Sequence, residues 1–270
     1  MKPEADVLTS QEFLDEVLNR WPLLEALLHG PQTLGELDES LSTSRSTIHR
    51  ACQNLLELHV VEKAGNEYSL TRLGTVVTVE TDAYRTRLLT ARRLERLLNV
   101  VDPSNVDIPL EHFDAADVVV PQPRQAHSGL KRVLNLIEQS ESLRIFSSII
   151  SPIYVDVAYR EMEKGTDIEV IFDREVIEII LEQYVEEAMA AMESGNFHVF
   201  VGEEIPFEVF IADSKMGIAA HDESGLPQIY VETTNPSAVQ WANDLYERYK
   251  KGATAFASAP LPSVPEPPLG

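Results

Sequence analysis

One cysteine, Cys52, stands in a chain of 270 residues, which excludes an internal disulfide framework and zinc-finger ligation. It shares a helical spacing with Ile48 and Leu55, so a buried core thiol is expected rather than a reactive one. Long apolar runs are also missing. None approaches the roughly 18 residues of a spanning helix, and the opening MKPEADVLTSQEF has no signal-peptide core. A cytoplasmic protein without membrane contact is expected. Seven histidines occur without HxH or HExxH spacing, and there is no GxSxG elbow, Walker A sequence or GxGxxG. No metal, cofactor or enzymatic activity is therefore expected. The one hydrolytic set that can be assembled on paper, Ser147 with Asp213, His221 and Asp222, has no supporting motif.

Basic residues are scarce: 22 Lys and Arg face 44 Asp and Glu, a net charge of −22. That balance opposes phosphate binding, but it is uneven along the chain. Residues 1–99 carry 11 basic and 15 acidic residues, against 11 and 29 in the remainder. Ser40 to Leu56 contains no carboxylate at all, although Val118–Ile137 is acid-free too. Abundant Asp and Glu with few Lys would suit a salt-rich cytoplasm, where surface charge is screened.

The most informative stretch is Thr33–Leu58. Leu34, Leu37 and Leu41 share one helical face, with Thr33 as N-cap and Glu36 at capping-box distance. After a Ser-Thr-Ser turn, capped by Thr43 or Ser44, a second helix carries Ile48, Cys52, Leu55 and Leu56 on its apolar side. Its opposite side holds Arg45, Ser46, Thr47, His49, Arg50 and Gln53, nearly all hydrogen-bond donors. A helix-turn-helix requires such a face in the major groove. Val60–Lys63 and Glu67–Thr71 follow as two strands around Gly65-Asn66, the wing of a winged helix. A support helix precedes, with Phe13, Leu14, Val17, Leu18 and Trp21 in a stripe and a new start at Pro22.

After Leu73-Gly74 a long helix is expected to about Val101. Val77, Tyr84, Ala91 and Leu98 recur every seven residues, broadened by Leu88 and Leu94, a pattern that suits either dimerisation through residues 77–98 or packing on the chain's own second domain. Arg85, Arg87, Arg92, Arg93 and Arg96 form either a solvated face or a phosphate-contacting one. Asp102–Asn105 ends the helix and Val106–Asp117 reads as a linker. Strands and helices then alternate: strand Val118–Val120, helix Ser128–Ser140, strand Leu143–Ile150, helix Pro152–Lys164, strand Asp167–Phe172 and a long helix Glu175–Ser194. Strands at Phe197–Val201, Phe207–Ala212, Met216–His221 and Gln228–Glu232 precede a helix at Pro236–Lys250. Five prolines among small residues predict a disordered tail over 252–270. The expected fold class is α+β: a winged helix-turn-helix domain (10–74), a linker helix (75–101) and an α/β effector-type domain with a mixed sheet (117–251).

With this layout the chain resembles archaeal winged-helix transcriptional regulators that carry the α/β middle domain of a methanogenesis regulator, a group common in haloarchaea and distantly like TrmB-type sugar-responsive regulators. SLSTSRSTIHRACQNLLELHVVEKAGNEYSLTRLG carries the head. Ile150-Ser151-Pro152-Ile153-Tyr154 and Ile229–Pro236, with Trp241 and Tyr246, carry the second domain. Trp21-Pro22 is a departure. The resemblance implies a dimeric gene regulator whose acidic domain senses a metabolite.

From the residues themselves, the expected DNA contacts are Thr43, Ser44, Arg45, Ser46, Thr47, His49 and Arg50, with Lys63, Asn66 and Tyr68 from the wing. An effector would sit beyond the C-terminal strand ends of the open sheet, at Ser147, Ser148, Ser151 and Tyr154 or at Asp173 and Arg174; helix capping is the alternative role for these serines and aspartate. Double-stranded DNA, a small-molecule effector and a second copy of the chain are the expected partners. A protein-binding winged helix and an α/β enzyme with an appended head are the alternative functions.

Overall fold

A computed structural model describes residues 10–101, 106–122, 124, 128–203, 205–222 and 225–256. The chain divides into two compact units, Met1–Leu88 and Leu89–Gly270.

In the first unit, α1 (Ser10–Asn19) and α2 (Trp21–Leu28) part at Arg20. Pro22 sits in the first turn of α2, where its missing N–H leaves no hydrogen bond unmade. A two-residue strand that the sequence pattern does not announce, β1 (Gln32–Thr33), leads into α3 (Leu34–Ser40). Thr33 and Glu36 form the expected capping box: the Thr33 N–H donates to Glu36 Oε2 at 2.7 Å and the Glu36 N–H to Thr33 Oγ1 at 3.3 Å. Of the two cap candidates for α4 (Arg45–Glu57), Ser44 takes the position, its Oγ accepting from the Thr47 N–H at 3.3 Å. The wing strands β2 (Val61–Ala64) and β3 (Glu67–Leu70) pair antiparallel around Gly65-Asn66. Gly65 takes the positive φ of +64° that this two-residue loop needs. With β1 the sheet order is β1-β3-β2. Leu24, Leu37, Ile48, Cys52, Leu55, Val60 and Tyr68 fill the core, each large apolar side chain contributing roughly 1.5–3 kcal/mol by burial.

The helix that follows, α5 (Arg72–Arg93), is shorter than expected and is succeeded by α6 (Glu95–Leu98). The break falls at Leu94 (φ −92°, ψ 10°), where Leu94 and Leu97 turn into the second unit's own core. Those positions are therefore unavailable to a dimer seam. Val106–Asp117 is also not a linker. It holds a 3-10 turn at Leu110–His112 and buries Val106, Ile108, Phe113 and Ala116. Trp241 meets Phe113 edge-on at 5.6 Å, and its Nε1 donates to the Asp107 carbonyl at 3.1 Å. The Arg93 guanidinium donates to the carbonyls of Asp114 and Ala116. The second unit thus begins at Leu89, well before the expected boundary at 117. The expected helix stop at Asp102–Asn105 lies outside the described residues.

The remaining elements are β4 (Asp117–Val119), α7 (Ser128–Glu138), β5 (Ser142–Ser147), α8 (Pro152–Glu163), β6 (Asp167–Asp173), α9 (Arg174–Gln183), α10 (Val185–Glu193), β7 (Phe197–Gly202), β8 (Glu208–Ile211), β9 (Met216–His221), β10 (Pro227–Thr233), α11 (Pro236–Gly252) and β11 (Thr254–Ala255). The long helix expected over Glu175–Ser194 is two, divided at Tyr184 (φ −135°, ψ 25°). Residues 254–255 belong to the sheet rather than to a tail; 257–270 lie outside the described residues.

The eight strands run β11-β7-β6-β5-β8-β9-β10-β4. β5, β6 and β7 are parallel, and all other neighbours are antiparallel, as the change from crossovers to hairpins predicts. Side chains alternate between the faces. Phe146, Ile171, Val209, Ile211 and Ile218 pack with α6 and α11 on one face; Leu143, Ile145, Ile168, Val170, Phe210 and Ala219 pack with α7, α8 and α10 on the other. On this second face Gly217 lies opposite Glu232, and a Cβ there would stand 2.5 Å from the Tyr230 hydroxyl.

Close packing is tightest at Gly74, where a Cβ would lie 1.9 Å from the Val60 carbonyl oxygen. That backbone atom also accepts from the Thr71 N–H at 3.0 Å, so it cannot simply move. Gly74→Ala is expected to destabilise the first unit by roughly 2 kcal/mol or more. Gly35→Ala, whose Cβ would meet an atom only at 3.8 Å, is expected to be neutral or to gain up to about 1 kcal/mol from helix propensity. Urea unfolding of both variants checks the contrast.

Candidate functional site

The first candidate surface is the outer side of α4. Its inner side, Ile48, Ala51, Cys52 and Leu55, is buried, and burial pushes the Cys52 thiol up to about 11, so it is held as an inert core group. The 3.6-residue repeat then turns Ser46, His49 and Arg50 outward, and Thr43, Ser44, Arg45, Ser46, His49 and Arg50 are all exposed. Thr47 is half-buried and engaged locally, with its Oγ1 2.8 Å from Ser44 Oγ. Ser44 Oγ is also 3.0 Å from Ser46 Oγ. A single serine thus organises the hydroxyls at the helix start.

α4 is anchored to α1 through Glu16. Asn54 Nδ2 donates to Glu16 Oε1 at 2.9 Å, and Arg20 Nε donates to the same atom at 2.8 Å. Burial raises the Glu16 carboxyl, but these hydrogen bonds and the charges of Arg20 and Arg50 outweigh it and hold the group below the usual carboxylate range. Arg50 is therefore close enough to Glu16 for part of its charge to be balanced from within the head.

In the wing, Lys63 and Asn66 are exposed. Tyr68 is not. It is 0% exposed in the core, because β3 alternates and Tyr68 faces inward while Glu67 faces out. The surface role expected for Tyr68 is thus replaced by a structural one, with Lys63 Nζ 5.0 Å above its ring.

The arginines of α5 divide. Arg85 stacks over the Trp21 ring at 4.5 Å, Arg93 holds the loop carbonyls described above, and Arg92 pairs with Glu95 at 3.5 Å. Of the heptad residues, Val77 packs on the head core and Leu98 on the second unit's core. Tyr84 is half-exposed, as are Leu73, Val76 and Leu88 on the same helical face.

The second candidate site lies within the second unit, between the sheet and α8, α9 and α10. A cavity of about 110 Å³ is lined by Ser147, Ser151, Tyr154 and Glu208 among apolar and aromatic side chains. Of the effector residues expected from sequence, the structure brings Ser147, Ser151 and Tyr154 together here. Ser148, Asp173 and Arg174 do not line the cavity. Asp173 instead caps α9, accepting from the Val176 N–H at 2.8 Å, and burial holds its carboxyl above the usual range. Nor does the paper hydrolytic set assemble: Asp213 accepts from the Glu141 N–H at 3.3 Å, and Asp222 accepts from the Leu226 N–H at 3.0 Å.

Glu208 was not among the expected residues, and it is the chemical centre of the cavity. It is 0% exposed. Ser147 Oγ lies 2.6 Å from its Oε1 and 2.8 Å from the Ile149 carbonyl oxygen. One hydroxyl proton cannot serve both acceptors. Either Ser147 donates to an ionised Glu208, or a protonated Glu208 donates to Ser147 and Ser147 to Ile149. Burial, only partly offset by the Ser147 hydrogen bond, pushes the Glu208 carboxyl up to about 7. Burial and the nearby Glu208 charge raise the Tyr154 phenol, and burial lowers His221, whose Nδ1 is 3.3 Å from Glu208 Oε2. The sequence held one signal for this group: a carboxylate inside the apolar run Phe207–Ile211.

The head so described defines the class: a winged helix-turn-helix, DNA-binding transcriptional regulator. Residues 126–252 match the family described as methanogenesis regulatory protein FilR1, middle domain, and residues 8–93 match the HVO_A0261 N-terminal domain. The second unit is thus similar to that regulatory middle domain, and the head to that N-terminal domain. No curated protein matches it in sequence. Among solved structures, TrmBL2, an archaeal chromatin protein, is 12% identical over 90% of this chain and 97% of its own, with a TM-score of 0.43. NucT from Helicobacter pylori is 14% identical over 52% of this chain and 98% of its own, with a TM-score of 0.42. Such scores do not carry a shared activity.

A carboxyl raised from 4.5 to about 7 favours the fold while it is protonated. That contribution is complete below pH 4.5 and is lost as pH rises through about 7. Relative to Glu208→Gln, the wild-type protein is expected to lose roughly 3 kcal/mol across this window. Denaturant unfolding of both proteins at pH 4.5, 6 and 8 checks it; parallel stability profiles would refute a protonated Glu208.

Proposed function

We propose that this regulator binds operator DNA as a dimer through α4 and the wing, and that the cavity of its second unit takes a small-molecule effector. The observation that carries the DNA reading is the outer face of α4: capped at Ser44, free of carboxylates from Ser40 to Leu56, and presenting Arg45, Ser46, His49 and Arg50 to solvent. Thr43, Ser44 and Thr47 frame the helix start, where free backbone amides favour a phosphate. Lys63 and Asn66 reach the backbone or minor groove from the wing.

Leu73, Val76, Tyr84 and Leu88 support dimerisation. Four half-exposed apolar side chains share one helical face, interrupted by Glu80 between Val76 and Tyr84, and a second copy of the helix would bury them. This replaces the seam expected over 77–98, since Leu94 and Leu97 are committed to the second unit. Two heads would also compensate for the small, only locally basic face that each acidic head presents. The acidic balance supports a salt-rich cytoplasm as the working milieu, and among the described residues no helix is long and apolar enough to cross a membrane. The same α4 face could instead dock a protein; DNA binding differs in its salt response.

Arg45→Ala is expected to weaken operator binding by roughly 1–3 kcal/mol, as the loss of a bidentate base contact would. A mobility-shift assay at fixed salt on a site mapped genome-wide measures it. Titration with salt should give a steep negative log–log slope; a flat slope favours a protein partner. Tyr84→Glu combined with Leu88→Glu should shift sedimentation from dimer to monomer and cost at least tenfold in operator affinity, while leaving the melting temperature of the head unchanged.

A further inference from the structure

Among the described residues the second unit buries three glutamates to below a tenth exposure: Glu161, Glu208 and Glu232. Two of them have ammonium or guanidinium partners. Glu161 Oε1 accepts from Lys164 Nζ at 2.6 Å. Glu232 lies 2.9 Å from Arg132 and 3.2 Å from Lys215, and its Oε2 accepts from the Tyr230 hydroxyl at 3.2 Å. Glu208 has neither kind of cation. Its Oε2 makes no hydrogen bond; His221 Nδ1, 3.3 Å away, has the distance of an ion pair without the geometry of a hydrogen bond. A buried carboxylate oxygen without a donor is costly, and this one belongs to a residue lining the cavity.

The cavity itself states which donor would fit. Its charged lining residues are Glu208 and the exposed Glu187, and no Lys, Arg or His lines it. Seven aromatic side chains, Tyr154 and Phe210 among them, line it, and π-faces attract cations and repel anions. The rest is apolar apart from Ser147 and Ser151. At about 110 Å³ the space is somewhat smaller than the roughly 150 Å³ cavity that admits benzene.

We propose that the effector of this cavity is a small apolar amine, about four to six heavy atoms by that volume comparison, whose ammonium group donates to Glu208 Oε2 while its hydrocarbon part lies against the aromatic wall. The proposal rests on the cavity being the effector site. The incoming cation favours the ionised carboxylate, so the Ser147 hydroxyl turns from Ile149 to Glu208 Oε1, and both carboxylate oxygens are satisfied.

Three probes with one branched carbon skeleton test it: isoamylamine, isoamyl alcohol and isovalerate, titrated into the full-length protein at pH 8 by calorimetry. The amine is expected to bind at least tenfold more tightly than the alcohol, and isovalerate not to bind. Glu208→Gln should reduce the amine-over-alcohol preference to less than twofold, with the fold confirmed by circular dichroism. Ala158→Phe, which fills the cavity, should abolish binding of amine and alcohol alike. Equal binding of amine and alcohol overturns the amine chemistry while leaving the effector cavity standing. Tight isovalerate binding does the same. An unaltered preference in Glu208→Gln, or amine binding that survives Ala158→Phe, overturns the assignment to this carboxylate. Binding of none of the three probes overturns the effector cavity as well.

Discussion

Both faces of the eight-stranded sheet are covered, and this constraint governs the second unit. A strand whose neighbours lie on either side and whose two faces are both roofed has no solvent side on which to place a polar residue. Every second side chain must enter one apolar interior and every other one the opposite interior. Glu208 occupies a strand of this kind, so its carboxylate is buried by topology rather than by local preference. Ser147 reaches it because β5 and β8 are antiparallel neighbours whose register places Phe146 beside Val209. The opposite face handles charge differently. There Glu169 of β6 meets Lys250 of α11, and Arg144 of β5 meets Asn243 of α11 at 2.9 Å. One interior is neutralised by its own helix; the other pairs Glu232 with Arg132 of α7 and leaves Glu208 Oε2 without a hydrogen bond.

The head obeys more local rules. Its helix starts are decided by hydroxyls and a carboxylate within three residues of each other, its hairpin by one glycine, and its core by short-range packing. This leaves the outer side of α4 free to be chosen for chemistry. An acidic chain can present a donor-rich helix there because the negative residues are concentrated in sequence elsewhere, and because Glu16, the carboxylate anchoring α4, is tied up by Asn54 and Arg20.

The same distinction explains what could be read in advance. Capping boxes, the Gly65-Asn66 loop and the alternation of strands and helices are local patterns, so they were legible. The stretch 106–117 was not, since Val106, Ile108, Phe113 and Ala116 follow neither a helical nor a strand period and become core only through tertiary contacts such as Phe113 with Trp241. Leu94 and Leu97 fit the α5 pattern equally well as surface or interior, and the break between the helices decides it. Tyr68 carried the signal of strand alternation, but an aromatic with a hydroxyl on a wing also suits a surface contact. For the cavity, Ser147, Ser151 and Tyr154 follow from the rule that open sheets bind ligands beyond their strand ends. Glu208 comes from an antiparallel neighbour that the rule does not cover.

Gly217 bears on how such a sheet can change over time. The space where its side chain would stand is filled by the Tyr230 ring, which lets the hydroxyl reach Glu232, the residue gripped by Arg132 and Lys215. A methyl group at 217 would displace that hydroxyl and strip one donor from a charge on the adjacent strand. The buried charge cluster and the bare backbone therefore depend on each other: a side chain at 217 costs Glu232 a donor for as long as position 230 is tyrosine.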